Sequence, residues 1–123
     1  MNNEWQPDIL GKGFEYRYVA HPDDYSGEVR STVVRLLPSG PTLKSILYVH
    51  GFSDYFFQKE MAETFVKAGY AFYAVDLRKY GRSLLPGQKM FQVRDMHEYF
   101  PDIDSAIDII KSDGRNEIIL MGH

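Results

Sequence analysis

Ile46-Leu47-Tyr48-Val49-His50-Gly51 is the stretch on which the fold turns. Four apolar residues in succession describe a strand covered on both faces, because a strand with one wet face alternates instead. The run stops at a histidine and a glycine, so the chain leaves the sheet there in a sharp turn. Two similar runs follow: Ala71-Phe72-Tyr73-Ala74-Val75, stopping at Asp76, and Ile118-Ile119-Leu120-Met121, stopping at Gly122-His123. Between the first two, Phe57, Met61 and Phe65 recur at helical spacing, flanked by Ala62 and Val66, with Gly69 placed as a left-handed helix terminus. Phe57 is expected to pack beneath this helix, and Phe56 either packs there or lines an apolar site. Between the second and third runs, Ile103, Ile107 and Ile110 mark another amphipathic helix that ends near Gly114. It begins before Pro101 or carries Pro101 in its first turn.

Upstream, Phe14-Glu15-Tyr16-Arg17-Tyr18-Val19 alternates aromatic and charged residues, which puts the aromatics on one face of a strand. Residues 21–27 are rich in Pro, Asp, Ser and Gly, and residues 29–37 in β-branched side chains, so the pair predicts an antiparallel hairpin. The order is hairpin, then β-α-β-α-β. Right-handed crossovers make the last three strands parallel with helices on the sheet faces, an α/β fold. Residues 77–93 form a loop longer than a simple connection. Residues 1–13 have no place in this pattern, and the expected division is an N-terminal extension (1–13) and the N-terminal half of a single domain (14–123). The third run is expected to be a buried strand, which needs a neighbour and a covering helix. More chain is therefore expected beyond His123, and the remaining half of the same fold is the expected partner, since an open apolar edge invites association.

A chain of 123 residues can bury about two-thirds of its unfolded surface, and 44% hydrophobic with 25% charged residues is a globular balance. The net charge of −3 comes with no basic run longer than Arg78-Lys79, which argues against a nucleic-acid footprint. Without cysteine there is no disulfide framework, thiolate nucleophile or cysteine metal site. Residues 1–9 are polar and lack a signal-peptide pattern, and no apolar run approaches the roughly 20 residues of a membrane span. A soluble protein is expected, with the cytoplasm as its default location. His97 with Asp95 or Glu98 does not read as a metal site, because adjacent helix positions do not converge on one point. Gly11-Lys12-Gly13 precedes a strand instead of joining strand to helix, so it is no phosphate loop. No metal or organic cofactor is implied.

Three constellations fall at the C-terminal ends of the three apolar strands, the edge of a parallel sheet where ligands bind. The first is His50-Gly51-Phe52-Ser53-Asp54, where glycine would let the next amide point into the site. The second is Asp76-Leu77-Arg78-Lys79-Tyr80-Gly81-Arg82-Ser83, whose Asp and Arg residues are suited to brace loops by charge-assisted hydrogen bonds. The third, Gly122-His123, matches the opening of Gly-x-Ser-x-Gly, a strained turn that lifts a nucleophile above the sheet. Taken singly, each also reads as an ordinary turn or solvated loop.

Together, in this order, they resemble the α/β-hydrolase superfamily, and most closely its lysophospholipase and monoacylglycerol-lipase branch, also labelled serine aminopeptidase-like. In that branch a His-Gly pair, an Asp-x-Arg-x-x-Gly-x-Ser stretch and a Gly-His-Ser elbow follow the third, fourth and fifth strands. Lys79-Tyr80 departs from the glycine-histidine pair common in relatives. The resemblance implies a serine immediately after His123, activated by a histidine and an acid that come later in the chain, so no triad member lies within the 123 residues. It makes the backbone N–H of Phe52 one oxyanion-hole donor, with His50 and Gly51 forming the oxyanion loop, Gly122 and His123 the start of the elbow, and Ser53, Asp54 and Tyr55 the pocket rim. The implied activity is serine hydrolysis of small acyl or lipid-like carboxylic esters through an acyl-enzyme, absent from this segment alone. The alternatives are a proline-type aminopeptidase, an Asp-nucleophile dehalogenase or epoxide hydrolase, and a non-catalytic hydrolase-like scaffold. The Asp-nucleophile relatives often carry proline two positions after His-Gly, where this chain has Ser53.

Overall fold

The computed structural model describes residues 4–123, and in it the three apolar runs become neighbouring parallel strands. The strands are β1 (Gln6–Pro7), β2 (Glu15–Asp24), β3 (Gly27–Leu36), β4 (Lys44–Val49), β5 (Ala71–Asp76) and β6 (Glu117–Gly122). The helices are α1 (Lys59–Lys67) and α2 (Phe100–Ser112), and short 3₁₀ turns occur at Gly81–Ser83 and Met96–Tyr99. All the strands join one sheet in the order β1-β2-β3-β5-β4-β6. The β2–β3 hairpin is antiparallel and β3 runs antiparallel to β5, while β4 pairs parallel with both β5 and β6. This is a mixed α/β sheet of the kind found in the N-terminal part of an α/β-hydrolase.

Parity along the strands divides the core in two. Leu47 of β4 and Ala71, Tyr73 and Val75 of β5 pack on one face with Ala106, Ile109 and Ile110 of α2. Ile46 and Tyr48, with Phe72 and Ala74, pack on the other with Ala62 of α1. The sheet is thus covered by one helix on each face, which is why β5 is buried from end to end. Both helices close in the same way. At α1, Gly69 (φ +95°) lets its own N–H reach Val66 O and the Tyr70 N–H reach Phe65 O; at α2, Gly114 (φ +91°) does the same with Lys111 and Ile110. Pro101 lies in the first turn of α2, and the preceding 3₁₀ turn is capped reciprocally by Asp95 and Glu98.

At four points the structure adds to or departs from the sequence reading. The strand expected over 14–19 continues to Asp24, and the turn shrinks to Tyr25-Ser26 before Gly27 (φ +100°), because His21 and Asp24 find polar partners instead of water. Helix α1 starts at Lys59, so Phe57 stands outside it and is half exposed; Phe56 is the buried ring, against Phe72 (5.4 Å) and Tyr48 (6.0 Å). Among the described residues, β6 lies at the sheet edge and pairs with β4 alone, so Ile119 and Leu120 are exposed in this piece of chain. Within residues 1–13, expected as an N-terminal extension, Gln6 and Pro7 form β1 of the sheet, and the Asp8 N–H donates to Phe14 O; residues 1–3 lie outside the described residues.

The packing of Phe56 is checked by truncation. Phe56→Ala is expected to lower unfolding free energy by about 3–5 kcal/mol and Phe57→Ala by under about 1 kcal/mol, read from urea midpoints. Equal losses at the two positions would overturn the assignment.

Candidate active site

β5 ends at Asp76, whose side chain is fully buried and accepts from three donors. Its Oδ1 takes the Phe56 N–H (2.8 Å), and its Oδ2 takes the Arg82 N–H (3.0 Å) and Nη1 (2.9 Å). Arg82 also donates to Phe56 O (2.8 Å) and forks onto both oxygens of Asp8 (2.7 and 2.9 Å). One arginine, paired with two aspartates, therefore fixes the loop before α1, the loop after β5 and the N-terminal segment. Gly81, between the partners, allows no side chain: at φ +42° a Cβ would lie 2.5 Å from Tyr55 Cβ and 2.8 Å from Asp76 Oδ2.

β4 ends beside this frame, at His50. Its Nε2 accepts the Leu77 N–H (3.0 Å), so the proton of the neutral ring sits on Nδ1, which donates to Gly51 O (2.9 Å). The imidazole thereby locks the first turn of the loop to the exit of β5. Gly51 does not have a positive φ, so the freedom expected of it is not what the site uses. It is needed for space: a Cβ there would lie 2.9 Å from His123 Nδ1 and 3.5 Å from His123 O. The His123 N–H donates to Val49 O (3.1 Å), extending the β4–β6 ladder into both loops. The left-handed turn comes two residues later, at Ser53 (φ +62°). Among the described residues, the Phe52 N–H meets no hydrogen-bond acceptor.

Behind these turns lies a second polar cluster. Asp102, on the buried face of α2, accepts the Arg78 N–H (2.8 Å) and a forked contact from the Arg78 guanidinium (2.8 and 3.2 Å). His21 Nε2 lies 3.4 Å from the same carboxylate and 2.8 Å from Ser31 Oγ. Burial holds His21 below the ordinary imidazole value, with Asp102 opposing and Arg78 reinforcing. Lys79, buried at φ +66°, reaches Asp24 (2.6 Å) and the face of Tyr25 (4.6 Å). Burial alone would raise the Asp24 carboxyl, but hydrogen bonds from Lys79 and Ser26 outweigh it and hold the group at about 2.

The ends of β4, β5 and β6 open on a mainly apolar cleft of about 400 Å³. Its wall combines the expected His50, Gly51, Phe52 and His123 with Tyr80, Met96, Tyr99, Phe100 and Ile103. That size accommodates a small organic ligand. Tyr80, standing where relatives commonly have histidine, packs against His50 in a tilted ring pair (4.6 Å) and pairs hydroxyls with Tyr99 (3.2 Å). Ser53, Asp54 and Tyr55, expected at the rim, are not in this wall: Tyr55 packs over Gly81 and against Phe57, and Asp54 accepts the Tyr55 N–H. Gly122 pairs with Val49 at the base. The α2 side of the wall was not found from sequence, although its 96–103 stretch, Met-His-Glu-Tyr-Phe-Pro-Asp-Ile, is unusually apolar for a loop-to-helix entry. Asp95 and His97 contact each other on the exposed surface, and among the described residues no group of three or more His, Asp or Glu could hold a metal ion. Among these residues, too, no helix is long and apolar enough to cross a membrane.

This topology, with loops gathered at the carboxyl ends of parallel strands, defines an α/β-hydrolase fold. Residues 40–123 match the family described as serine aminopeptidase, S33, and the chain belongs to that family. Solved structures agree on the fold. An epoxide hydrolase from an endophytic Streptomyces is 25% identical with TM-score 0.60 over 92% of this chain and 30% of that one. A monoglyceride lipase variant from Saccharomyces cerevisiae is 20% identical, TM-score 0.62, over 88% and 33%. A carboxyl esterase from Bacillus coagulans is 15% identical, TM-score 0.72, over 88% and 36%. The chain spans about a third of the length of these proteins. No curated protein sequence matches it.

Two measurements check this geometry. ¹⁵N–¹H correlation of the imidazoles should give His50 the neutral pattern with its proton on Nδ1; an Nε2-protonated pattern would exclude the bond from Leu77. Because the Asp24 carboxyl is depressed in the folded state, the folded chain binds fewer protons than the unfolded one between about pH 4 and 2. Stability should therefore fall as pH drops through that window, and Asp24→Asn should remove that part of the slope in urea titrations.

Proposed function

We propose that the complete protein is a serine hydrolase of small carboxylic esters, with the Phe52 N–H as one oxyanion donor and the nucleophilic alcohol placed immediately after His123. The observation that supports this reading is the closeness of Gly51 to His123, where a Cβ on the one would lie 2.9 Å from Nδ1 of the other, both residues lining an apolar cleft. The serine oxygen attacks the ester carbonyl and yields its proton to a histidine oriented by an acid, both from later in the chain. The carbonyl oxygen, now negative, accepts from the Phe52 amide, which has no competing partner within the described residues. One such donor is worth about 3 kcal/mol of barrier. The leaving alcohol departs with the proton, and water repeats the sequence on the acyl-enzyme. The cleft wall of Met96, Phe100 and Ile103 suits the hydrocarbon part of the substrate. No cofactor has a role. The exposed Ile119 and Leu120 of β6 are where the remaining half of the sheet would pair and pack.

The fold is shared with epoxide hydrolases, whose aspartate nucleophile is the main competing reading. The loop speaks against it. Ser53 sits at φ +62°, and a proline at that position, with its φ fixed near −65°, could not adopt this turn. Amide hydrolysis, as the family description suggests, would use the same acyl-enzyme chemistry, and a scaffold would lack the nucleophile altogether.

Full-length protein should react with a fluorophosphonate probe and turn over p-nitrophenyl esters, whereas residues 1–123 alone should do neither. Phe52→Pro, which deletes the donor, should lower kcat by about 100–1,000-fold. A folded full-length protein that resists the probe would count for the scaffold, and an aspartate following His123 for the epoxide-hydrolase chemistry.

A further inference from the structure

The proposed donor amide follows a glycine, the residue least able to restrain its own backbone. The Gly51 carbonyl and the Phe52 N–H share one peptide plane, and His50 Nδ1 holds its carbonyl side (2.9 Å). A second restraint acts at the Phe52 end of that plane. Phe52 is 79% exposed, yet its ring is not free: it packs on Phe91 at 5.5 Å. Phe91 packs on Tyr80 at 4.9 Å, and Tyr80 on His50 at 4.6 Å. The row of rings thus grips both residues that flank Gly51, and the backbone of residues 50–52 closes it.

Phe91 is held in an unusual conformation to do this. Its φ is +65°, a region that bulky side chains rarely enter, and its N–H donates to Lys79 O (3.1 Å). Lys79 is itself left-handed (φ +66°) and is tied to Asp24 at the hairpin tip. Left-handed non-glycine residues persist where the surroundings over-determine them, and such strain gathers at functional sites. We propose that Phe91 is a positioning residue: it fixes the Phe52 amide by holding the Phe52 ring, and is anchored in turn through Lys79 to Asp24. This rests on the reading of Phe52 as an oxyanion donor. The ring contact restrains Cα52, the far end of the peptide unit that carries the donor, while the His50 bond restrains its carbonyl, so the two together limit how far the Phe52 N–H can stray. Small misplacements of groups at a reacting centre cost large factors in rate.

The test uses the folded full-length protein with p-nitrophenyl butyrate, folding being checked by near-ultraviolet circular dichroism. Phe91→Ala should lower kcat roughly tenfold while KM stays within about twofold. Phe91→Tyr, which keeps the ring, should restore the rate. Phe52→Ala should match the loss of Phe91→Ala, and the double variant should be no worse than either single one, because both remove the same contact. Should Phe91→Ala fail to fold, Phe91→Leu keeps the bulk without the flat ring and should lower kcat in the same direction. Folded Phe91→Ala or Phe91→Leu with unchanged kcat, or losses that multiply in the double variant, would overturn the proposal. Phe52→Pro separates the two readings. If it is inactive while Phe91→Ala or Phe91→Leu is unaffected, only the clamp falls; if it retains full activity, the oxyanion assignment falls and takes the clamp with it.

Discussion

The carboxylate of Asp76 is the point from which the working edge of this molecule is hung. It is fully buried, and a buried anion is tolerated only when its charge and its lone pairs are matched. Arg82 supplies the charge, and the amides of Phe56 and Arg82 supply further hydrogen bonds. Because those donors belong to the loops after β4 and β5, neutralising the anion also sets where each loop begins. Arg82 then directs its remaining donors to Asp8 and Phe56 O, drawing residues that precede the hairpin into the same knot. Losing one member would strand a charge in the interior, an effect of about 3–5 kcal/mol in comparable pairs. The conformation of the loops is thereby coupled to the stability of the sheet.

β4 and β5 were legible in the sequence because both of their faces are covered, and a short, unbroken apolar run bounded by turn residues is the direct imprint of that burial. The helices were legible through spacing and through Gly69 and Gly114, although the start of α1 was misplaced because Phe57 falls in phase with Met61 while lying before the helix. The end of β2 was not legible. His21 and Asp24 look like loop residues until Ser31, Asp102 and Lys79 are brought to them from distant positions. At the site, the His50-Gly51-Phe52 turn could be read because it ends an apolar strand. The opposite wall, from Tyr80 to Ile103, could not, since it is assembled from a loop and a helix entry with no motif of their own. Beyond the left-handed turn at Ser53, Tyr55 packs over Gly81, a contact that nothing in the sequence announces.

Lys79 accounts for the departure from its relatives at that position. The backbone there is left-handed, which glycine enters freely and other residues at a cost of about 1–2 kcal/mol. Lysine occupies it because its ammonium finds Asp24 and Tyr25, and its stem is buried on the way. A residue that looks anomalous against the family pattern thus does two things: it ties the hairpin tip to the loop after β5, and it offers its carbonyl to Phe91.

The meeting of Gly51 with His123 also bears on how the chain acquires its structure in time. The two residues are adjacent only when β4 and β6 are in register, and that parallel ladder closes around an intervening helix, strand, long loop and second helix. Contacts of such sequence separation are entropically expensive and form late in folding. During synthesis from the N-terminus, β4 and β5 can be laid down well before β6 has left the ribosome. The turn at Gly51 therefore lacks its imidazole neighbour until β6 docks.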